Sequence, residues 1–195
     1  MPYPSKIDPE QLGPIGLAVV EEKGWELWSL RDVAARLGVA PNALYRHVED
    51  RGDLIVEIGA TAAKELLREI SVPSQVDDAM DTLVEMSERY IQFSIERPAA
   101  YEAFVRAKPD QSSPIIGAWH ECWMVVLDTV STVVPNAAEA CGFALWSMLH
   151  GRADLTKGPT SLVDPMTGLD DAVLALLKGF RSVGSLPSPL PGDSS

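Results

Sequence analysis

The densest group of chemically useful side chains lies in one short segment, residues 42–47. It contains Asn42, Ala43, Tyr45, Arg46 and His47. Asparagine bonds adenine bidentately, arginine bonds guanine or phosphate, and a small alanine can touch the methyl group of thymine. Tyrosine hydroxyl and histidine N–H groups suit phosphate oxygens. These residue types on the outer face of one helix predict a surface that reads DNA.

The flanking residues predict the elements that position this surface. Ser29 and Asp32 have the spacing of a capping box at the start of a helix. Gly38 marks a turn, and Pro41 fits the first turn of a second helix that we expect to run to about Val48. Helix, short turn and helix is the helix-turn-helix arrangement, in which the second helix enters the major groove.

The charge is distributed unevenly along the chain. Its 195 residues carry a net charge of −12, which argues against general binding to nucleic acid or to an anionic membrane. Residues 29–48 carry Arg31, Arg36 and Arg46 against Asp32, a net charge of +2, which leaves −14 for the rest. The sequence therefore predicts a local basic edge on an acidic body.

The remaining pattern is helical throughout. Apolar residues recur at helical spacing, and no stretch alternates as a strand does. Four short helices precede about Ile70 and five longer ones follow, and Pro14 and Gly16 predict a weakened or kinked first helix. The predicted fold is all-α, with an N-terminal three-helix helix-turn-helix domain and a C-terminal helical bundle, about nine helices in all.

The sequence does not support a catalytic, cofactor or metal site. No catalytic, nucleotide-loop or cofactor motif occurs, so we expect no catalytic residues and no cofactor. His120 and Cys122 point to different sides of a helix, and we expect no metal site. No signal peptide or membrane span is visible, and the two cysteines form no disulfide framework, which favours a cytoplasmic protein without membrane contact.

Residues 7 to about 55 resemble the DNA-binding domain of TetR-family transcriptional regulators. The resemblance rests on the stretch SLRDVAARLGVAPNALYRHVEDRGDLI, residues 29–55. It implies that Ser29 and Arg31 lie near the DNA backbone, and that Asn42 and Ala43 reach base edges. It further implies phosphate contacts from Tyr45, His47 and, at the next helix start, Arg51. Glu49 and Asp50 depart from the usual neutral or basic residues there, which implies weaker backbone affinity.

A second, shorter resemblance lies near the C-terminus. Residues 144–151, ALWSMLHG, are similar to the Trp…His-Gly signature of one subgroup of TetR C-terminal domains. Together the resemblances imply a DNA-binding domain at residues 1–52 and a ligand-binding and dimerisation domain at 53–181. The Ser-, Pro- and Gly-rich composition of residues 182–195 predicts a disordered tail. They imply a homodimer that binds a palindromic double-stranded operator and is released by a small apolar or aromatic effector. A repressor is favoured over an activator, and the last two long helices are expected to form the dimer interface.

Aromatic and sulfur side chains of the C-terminal helices are candidates for the effector pocket. They are Met86, Tyr90, Phe93, Phe104, Trp119, His120, Trp123, Trp146 and His150. Periodicity alone favours core packing for the tryptophans of the seventh helix, and a hydrogen-bonded core position for His150. The stripe of Phe143, Trp146 and His150 could instead face a partner subunit. A helical ligand carrier or enzyme that uses this bundle is the alternative function.

Overall fold

The computed structural model describes residues 7–71, 78–107, 114–155 and 164–183, and this part of the chain contains helices and no strand. After a short 3-10 helix at Pro9–Gln11 come α1 (Leu12–Lys23), α2 (Leu30–Arg36), α3 (Pro41–Leu44), α4 (Arg51–Ile70), α5 (Ala79–Glu96), α6 (Pro98–Arg106), α7 (Pro114–Val133), α8 (Ala138–Leu155) and α9 (Leu169–Val183). The all-α prediction is confirmed. No helix in these ranges is long and apolar enough to cross a bilayer.

The described residues group into two compact units. The first contains residues 7–71, 92–107 and 114–123, and the second contains residues 78–91, 124–155 and 164–183. The predicted boundary at residue 52, between a DNA-binding and a ligand-binding domain, does not coincide with the boundary of these units and stays a prediction. The residue types from Ser74 to Asp77 predict a helix cap, and these residues lie outside the described ranges.

Local signals set the helix ends in the first unit. Asp8 caps the 3-10 helix through its bond from the Glu10 amide, 3.1 Å. Gly24 ends α1 with φ of +80°, a conformation that costs glycine little. Gly38 ends α2 with φ of +70°, where the Val39 amide bonds the Ala34 carbonyl and the Gly38 amide bonds that of Ala35. This pair of bonds is a Schellman motif, which satisfies the last carbonyls of α2.

The third helix is shorter than the sequence predicts. It ends at Leu44, and residues 45–47 form a turn, in which the His47 amide bonds the Leu44 carbonyl at 2.9 Å. An i to i−3 bond is tighter than an α-helical bond. Leu44 and Val48 are both buried across this turn. Their spacing fits a continuing helix as well as a turn, which is why the pattern did not reveal the end.

Helix α4 lies unusually close to its neighbours within the first unit. A Cβ added to Gly13 of α1 would lie 2.6 Å from the Glu57 carbonyl oxygen of α4. A Cβ on Gly59 of α4 would lie 2.6 Å from the Cβ of Ala107, just after α6. Only a residue without a side chain fits either contact, so α4 is packed tightly against α1 on one side and the end of α6 on the other.

The expected kink of α1 is not seen, because Pro14 falls in its first turn. The amide that proline lacks has no partner within the helix there, and the helix runs unbroken from Leu12 to Lys23. Gly16 faces α4, where an added Cβ would lie 2.7 Å from Ile58 Cγ1. Gly16 therefore serves packing, whereas Pro14 is exposed and leaves the helix unbroken.

The second unit contains a pair of packed helices, α8 and α9. Helix α8 buries Cys141, Leu145 and Leu149, and the Arg152 guanidinium donates to the carbonyls of Pro165 and Thr167, just before α9. Helix α9 buries Leu169, Val173 and Leu177, as its spacing predicts. It continues to Val183, two residues into the segment predicted to be disordered, and the rest of that tail lies outside the described residues.

Substituting Gly13 by alanine tests the close approach of α1 to α4. We expect the free energy of unfolding to fall by about 1–3 kcal/mol, because the new methyl group overlaps a backbone carbonyl that cannot move alone. Urea denaturation followed by circular dichroism measures this. Gly117→Ala is the matched control, since a Cβ there meets nothing within 4 Å and should stabilise α7 by about 0.5–1 kcal/mol. Equal stability of the two variants would contradict the packing.

Candidate nucleic-acid interface

The edge formed by α3 and the turn after it is exposed at the side chains that the sequence singles out. Asn42, Arg46 and His47 are exposed, and Tyr45 is 53% exposed, a high value for a tyrosine. Leu44, between them, is fully buried and anchors the edge on the first unit. Polar and aromatic groups thus point outward from a fixed backbone, as a surface that reads DNA requires.

The start of α2 is fixed by the predicted capping box. The Asp32 carboxylate accepts the Ser29 amide at 2.9 Å and the Ser29 hydroxyl at 2.7 Å, and that hydroxyl accepts the Asp32 amide. Bonds from the Lys23 ammonium and from Ser29 hold the pKa of Asp32 below its ordinary value. A lowered folded-state pKa means that this contact stabilises the fold at neutral pH and is lost as the pH falls through that pKa.

Two ion pairs join α2 to α1 and neutralise part of the charge of these two helices. The Lys23 ammonium lies 2.5 Å from Asp32, and the Arg36 guanidinium lies 2.5 Å from Glu22. Within the described ranges, the guanidinium groups of Arg31 and Arg46 have no such partner, and both side chains are exposed. The cationic charge available to a ligand at this edge therefore comes from Arg31 and Arg46.

The acidic residues that follow the edge have a structural use. Asp50 caps α4 by accepting the Asp53 amide at 3.0 Å, and the Asp53 carboxylate accepts the Glu49 amide at 2.8 Å. Negative charge at a helix N-terminus is favourable, because unpaired amides point outward there. The departure from the family pattern at Asp50 is thus explained by capping, whereas the Glu49 side chain is exposed.

The side chain of Arg51, the first residue of α4, lies against the loop between α1 and α2. Its Nη2 donates to the Trp25 carbonyl at 2.7 Å, and its guanidinium lies 4.5 Å from the Trp28 ring centroid. Trp25 and Trp28 were missed from the sequence, although two tryptophans three apart in a loop between helices are a signal of an anchored loop. A contact from Arg51 to DNA stays a prediction.

Five of the candidate pocket residues belong to the first unit. Phe93 and Phe104 are buried, Trp119 and Trp123 are half-buried, and His120 is exposed on α7. The rings of Phe104 and Trp119 meet edge to face at 5.8 Å. Trp119 also packs against a small apolar cluster, whose buried members are Ala60, Ala107 and Ile115.

The other four candidates belong to the second unit. Met86 and Tyr90 are buried, and Trp146 and His150 are half-buried. The Tyr90 hydroxyl lies 2.7 Å from His150 Nδ1, and the imidazole stacks on Trp146 with ring centroids 5.6 Å apart. His150 is therefore hydrogen-bonded, as expected of a histidine in a core, and Phe143 of the same stripe is 70% exposed.

The cysteines and acidic residues offer little reactive chemistry. Burial raises the pKa of Cys122 to about 12, with Glu121 contributing, and burial raises the pKa of Cys141 as well. Both are free thiols, and a raised pKa keeps them protonated and unreactive at neutral pH. In the part of the chain that the structure describes, no three His, Cys, Asp or Glu side chains are grouped to hold a metal ion.

The fold and this edge define a helical protein of the helix-turn-helix class. Residues 16–58 match the family model for bacterial regulatory proteins of the tetR family. An uncharacterised HTH-type transcriptional regulator of Mycobacterium tuberculosis is 24% identical over 182 residues, covering 91% of this chain and 84% of the relative.

Solved structures share the fold at low sequence identity. A TetR variant of Acinetobacter baumannii, crystallised with minocycline, is 19% identical with a TM-score of 0.65, covering 93% of this chain and all of the other. The TetR family regulator PfmR of Thermus thermophilus, also 19% identical, has a TM-score of 0.61 with coverages of 88% and 98%. These likenesses show the fold, and the matches in sequence support a TetR-family transcriptional regulator with its DNA-binding domain at residues 16–58.

Truncation of Tyr45 or His47 tests the exposed edge. The ligand for this test is the duplex that the protein selects from random DNA. We expect Tyr45→Ala and His47→Ala each to weaken binding to it by about 1–3 kcal/mol, since each removes one DNA contact. Fluorescence anisotropy measures affinity, and thermal unfolding checks the fold. Leu27→Ala is the control, because Leu27 is exposed in the same unit but outside α3 and its turn. Wild-type affinity in both variants would show that the site lies elsewhere.

Proposed function

We propose that this chain is a homodimeric repressor that binds a palindromic operator and leaves it when a small apolar or aromatic molecule binds. The observation that carries the proposal is the exposed edge of Asn42, Tyr45, Arg46 and His47 on an otherwise anchored turn. Residues 1–52 are assigned to DNA, and residues 53–181 to effector binding and dimerisation. A cytoplasmic location and the absence of enzymatic activity are parts of the same proposal.

One reading edge covers too few base pairs to specify a site in a genome. Two edges held by a dimer, on half-sites about one helical turn or 34–36 Å apart, supply the missing specificity. The acidic body supports this arrangement. A chain of net charge −12 is repelled by DNA in most orientations, so binding depends on the local contacts of the basic edge.

Selection of binding sites from random double-stranded DNA tests the function. We expect the enriched sequences to form an inverted repeat with half-sites spaced by one helical turn or a multiple of it. Affinity for the selected site should fall steeply with salt concentration, because phosphate contacts release counterions. A helical carrier or enzyme would enrich no common sequence, and that outcome would reject the proposal.

The surface of α8 and α9 supports the dimer. Phe143, Ser147, Gly151 and Leu155 follow each other at intervals of four on α8 and are all exposed, with Leu155 78% exposed. Helix α9 exposes Ala175, Gly179 and Ser182 on its own surface. Small residues let helices approach closely, and large exposed apolar groups are typical of a surface that a partner covers. We assign this face to the second subunit.

The dimer face can be tested at a position that the fold of one chain does not need. A Cβ on Gly151 meets nothing within 4 Å, so Gly151→Glu should leave the chain folded but place a charge in the subunit interface. We expect light scattering to give a mass near the 21.1 kDa of one chain, with loss of tight operator binding. Gly117→Glu, an equally open helical position on α7, should stay dimeric. A dimeric Gly151→Glu variant would exclude this face.

The aromatic side chains of both units support an apolar or aromatic effector. The edge-to-face pair of Phe104 and Trp119 and the stack of Trp146 on His150 offer ring faces of the kind that bind flat ligands. A TetR variant of similar fold binds minocycline, a polycyclic molecule, which is consistent with this class. An effector of this kind releases DNA only to the extent that it binds the DNA-free conformation more tightly.

A further inference from the structure

The last residue of α6 contacts the loop that leads into the helix-turn-helix. The Arg106 guanidinium lies 5.3 Å from the centroid of the Trp25 ring, in the range of a cation–π contact. It is also paired with Glu102 one turn earlier, Nη2 to Oε1 2.5 Å, and lies 3.9 Å from Glu26 of the loop. The side chain of Arg106 is therefore oriented by its own helix toward the Trp25 side of the loop.

The loop carries this contact to the start of α2 and of α4. Trp25 and Trp28 are buried and meet edge to face at 6.1 Å. Trp28 directly precedes Ser29, the cap of α2, and its other neighbour is the Arg51 guanidinium at 4.5 Å. Arg106, Trp25, Trp28 and Arg51 thus form a continuous series of contacts within the first unit, in the order cation, ring, ring and cation.

Hydrogen bonds from the indole N–H groups do not hold this series of contacts together. Neither Trp25 Nε1 nor Trp28 Nε1 has a hydrogen-bond partner among the described residues. What fixes the loop is apolar burial, the cations over the rings, and the bond from Arg51 to the Trp25 carbonyl. Removing the Arg106 cation therefore removes the contact between α6 and the loop, while the contacts of Arg51 with Trp25 and Trp28 remain.

We propose that Arg106 is a positioning residue for DNA binding, which couples the end of α6 to the orientation of α2 and α3 through Trp25. This inference rests on the proposed function, since it concerns the affinity for an operator. The route from Arg106 to α2 runs through Trp25 and Trp28, and the contacts of α4 with α1 and α6 form a separate connection. Phe104, two residues before Arg106, meets Trp119, so two candidate pocket residues lie close to the coupling residue.

Coupling of this kind is reciprocal, and that gives the test a readout that needs no effector. If the state of α6 affects operator affinity, then operator binding must affect α6 by the same factor. Hydrogen–deuterium exchange of the dimer, alone and with the selected duplex, measures both ends. In the wild type we expect the duplex to slow exchange in α3 and also in residues 103–107 by about 3- to 10-fold.

Arg106→Ala should separate the two effects. We expect slower exchange in α3 to remain, slower exchange in residues 103–107 to disappear, and operator affinity to fall about 3- to 10-fold. Arg106→Lys should restore part of the coupling, because an ammonium keeps the charge over the ring but not the planar stacking. If Arg106→Ala fails to fold, Trp25→Leu removes the same contact from the loop side and takes its place.

Glu102→Gln is the matched control, since it removes the charge of the helical pair while the amide oxygen can still accept from Arg106 and keep it oriented toward Trp25. It should keep the slower exchange in residues 103–107, and loss of that effect would mean a frayed helix end and overturn the proposal. Unchanged coupling in Arg106→Ala, or a wild-type α6 that does not respond while α3 does, would also overturn it. Absence of any slowing in α3 would instead refute the proposed DNA-binding function itself.

Discussion

The first unit depends above all on how closely α4 is packed between α1 and the residues that follow α6. Gly13 and Gly59 are at these contacts, and neither has space for a single added carbon atom. Close packing of helix backbones leaves little freedom to slide or rotate, because any shift produces overlap or an empty volume. These contacts therefore fix the spacing between α1, α4 and the end of α6, on which the helix-turn-helix rests. Any adjustment is left to the loop between α1 and α2 and to the short helices α2 and α3.

Charge in the same region is used mainly to hold the structure together. Arg36 pairs with Glu22, Lys23 with Asp32, and Asp50 caps α4, so most of these groups are occupied before any ligand arrives. Exposed ion pairs contribute little to stability, but they do remove charge that DNA would otherwise meet. Asp32 and Arg36 of residues 29–48 are both in ion pairs. The net charge of +2 of this segment therefore lies on Arg31 and Arg46.

Local signals in the sequence predicted much of this region, and distant contacts could not be predicted. The capping box of Ser29 and Asp32 and the turn at Gly38 depend on residues within one or two turns, so their spacing suffices. The end of α3 at Leu44 was missed because burial of Leu44 and Val48 fits two backbone paths. The contact of Arg106 with Trp25 and the packing of Ala107 against Gly59 join residues far apart in the chain. The sequence alone does not reveal which side chains meet across such a distance.

The two ends of α6 are attached to the helix-turn-helix side with unequal strength. At its start, Arg97 forms two bonds to Glu21, at 2.9 and 2.7 Å, and pairs with Glu65 at 3.0 Å, where burial raises the pKa of Glu65 and the Arg97 charge opposes that rise. At its end, Arg106 is 48% exposed and its partner Glu26 is 87% exposed, so solvent screens that pair. The charged pair at the end of α6 is therefore weaker than those at its start, although the packing of Ala107 against Gly59 also holds that end. The weaker charged contact lies two residues from Phe104, so a ligand there would shift the loop only to the extent that it binds one arrangement of the loop more tightly than another.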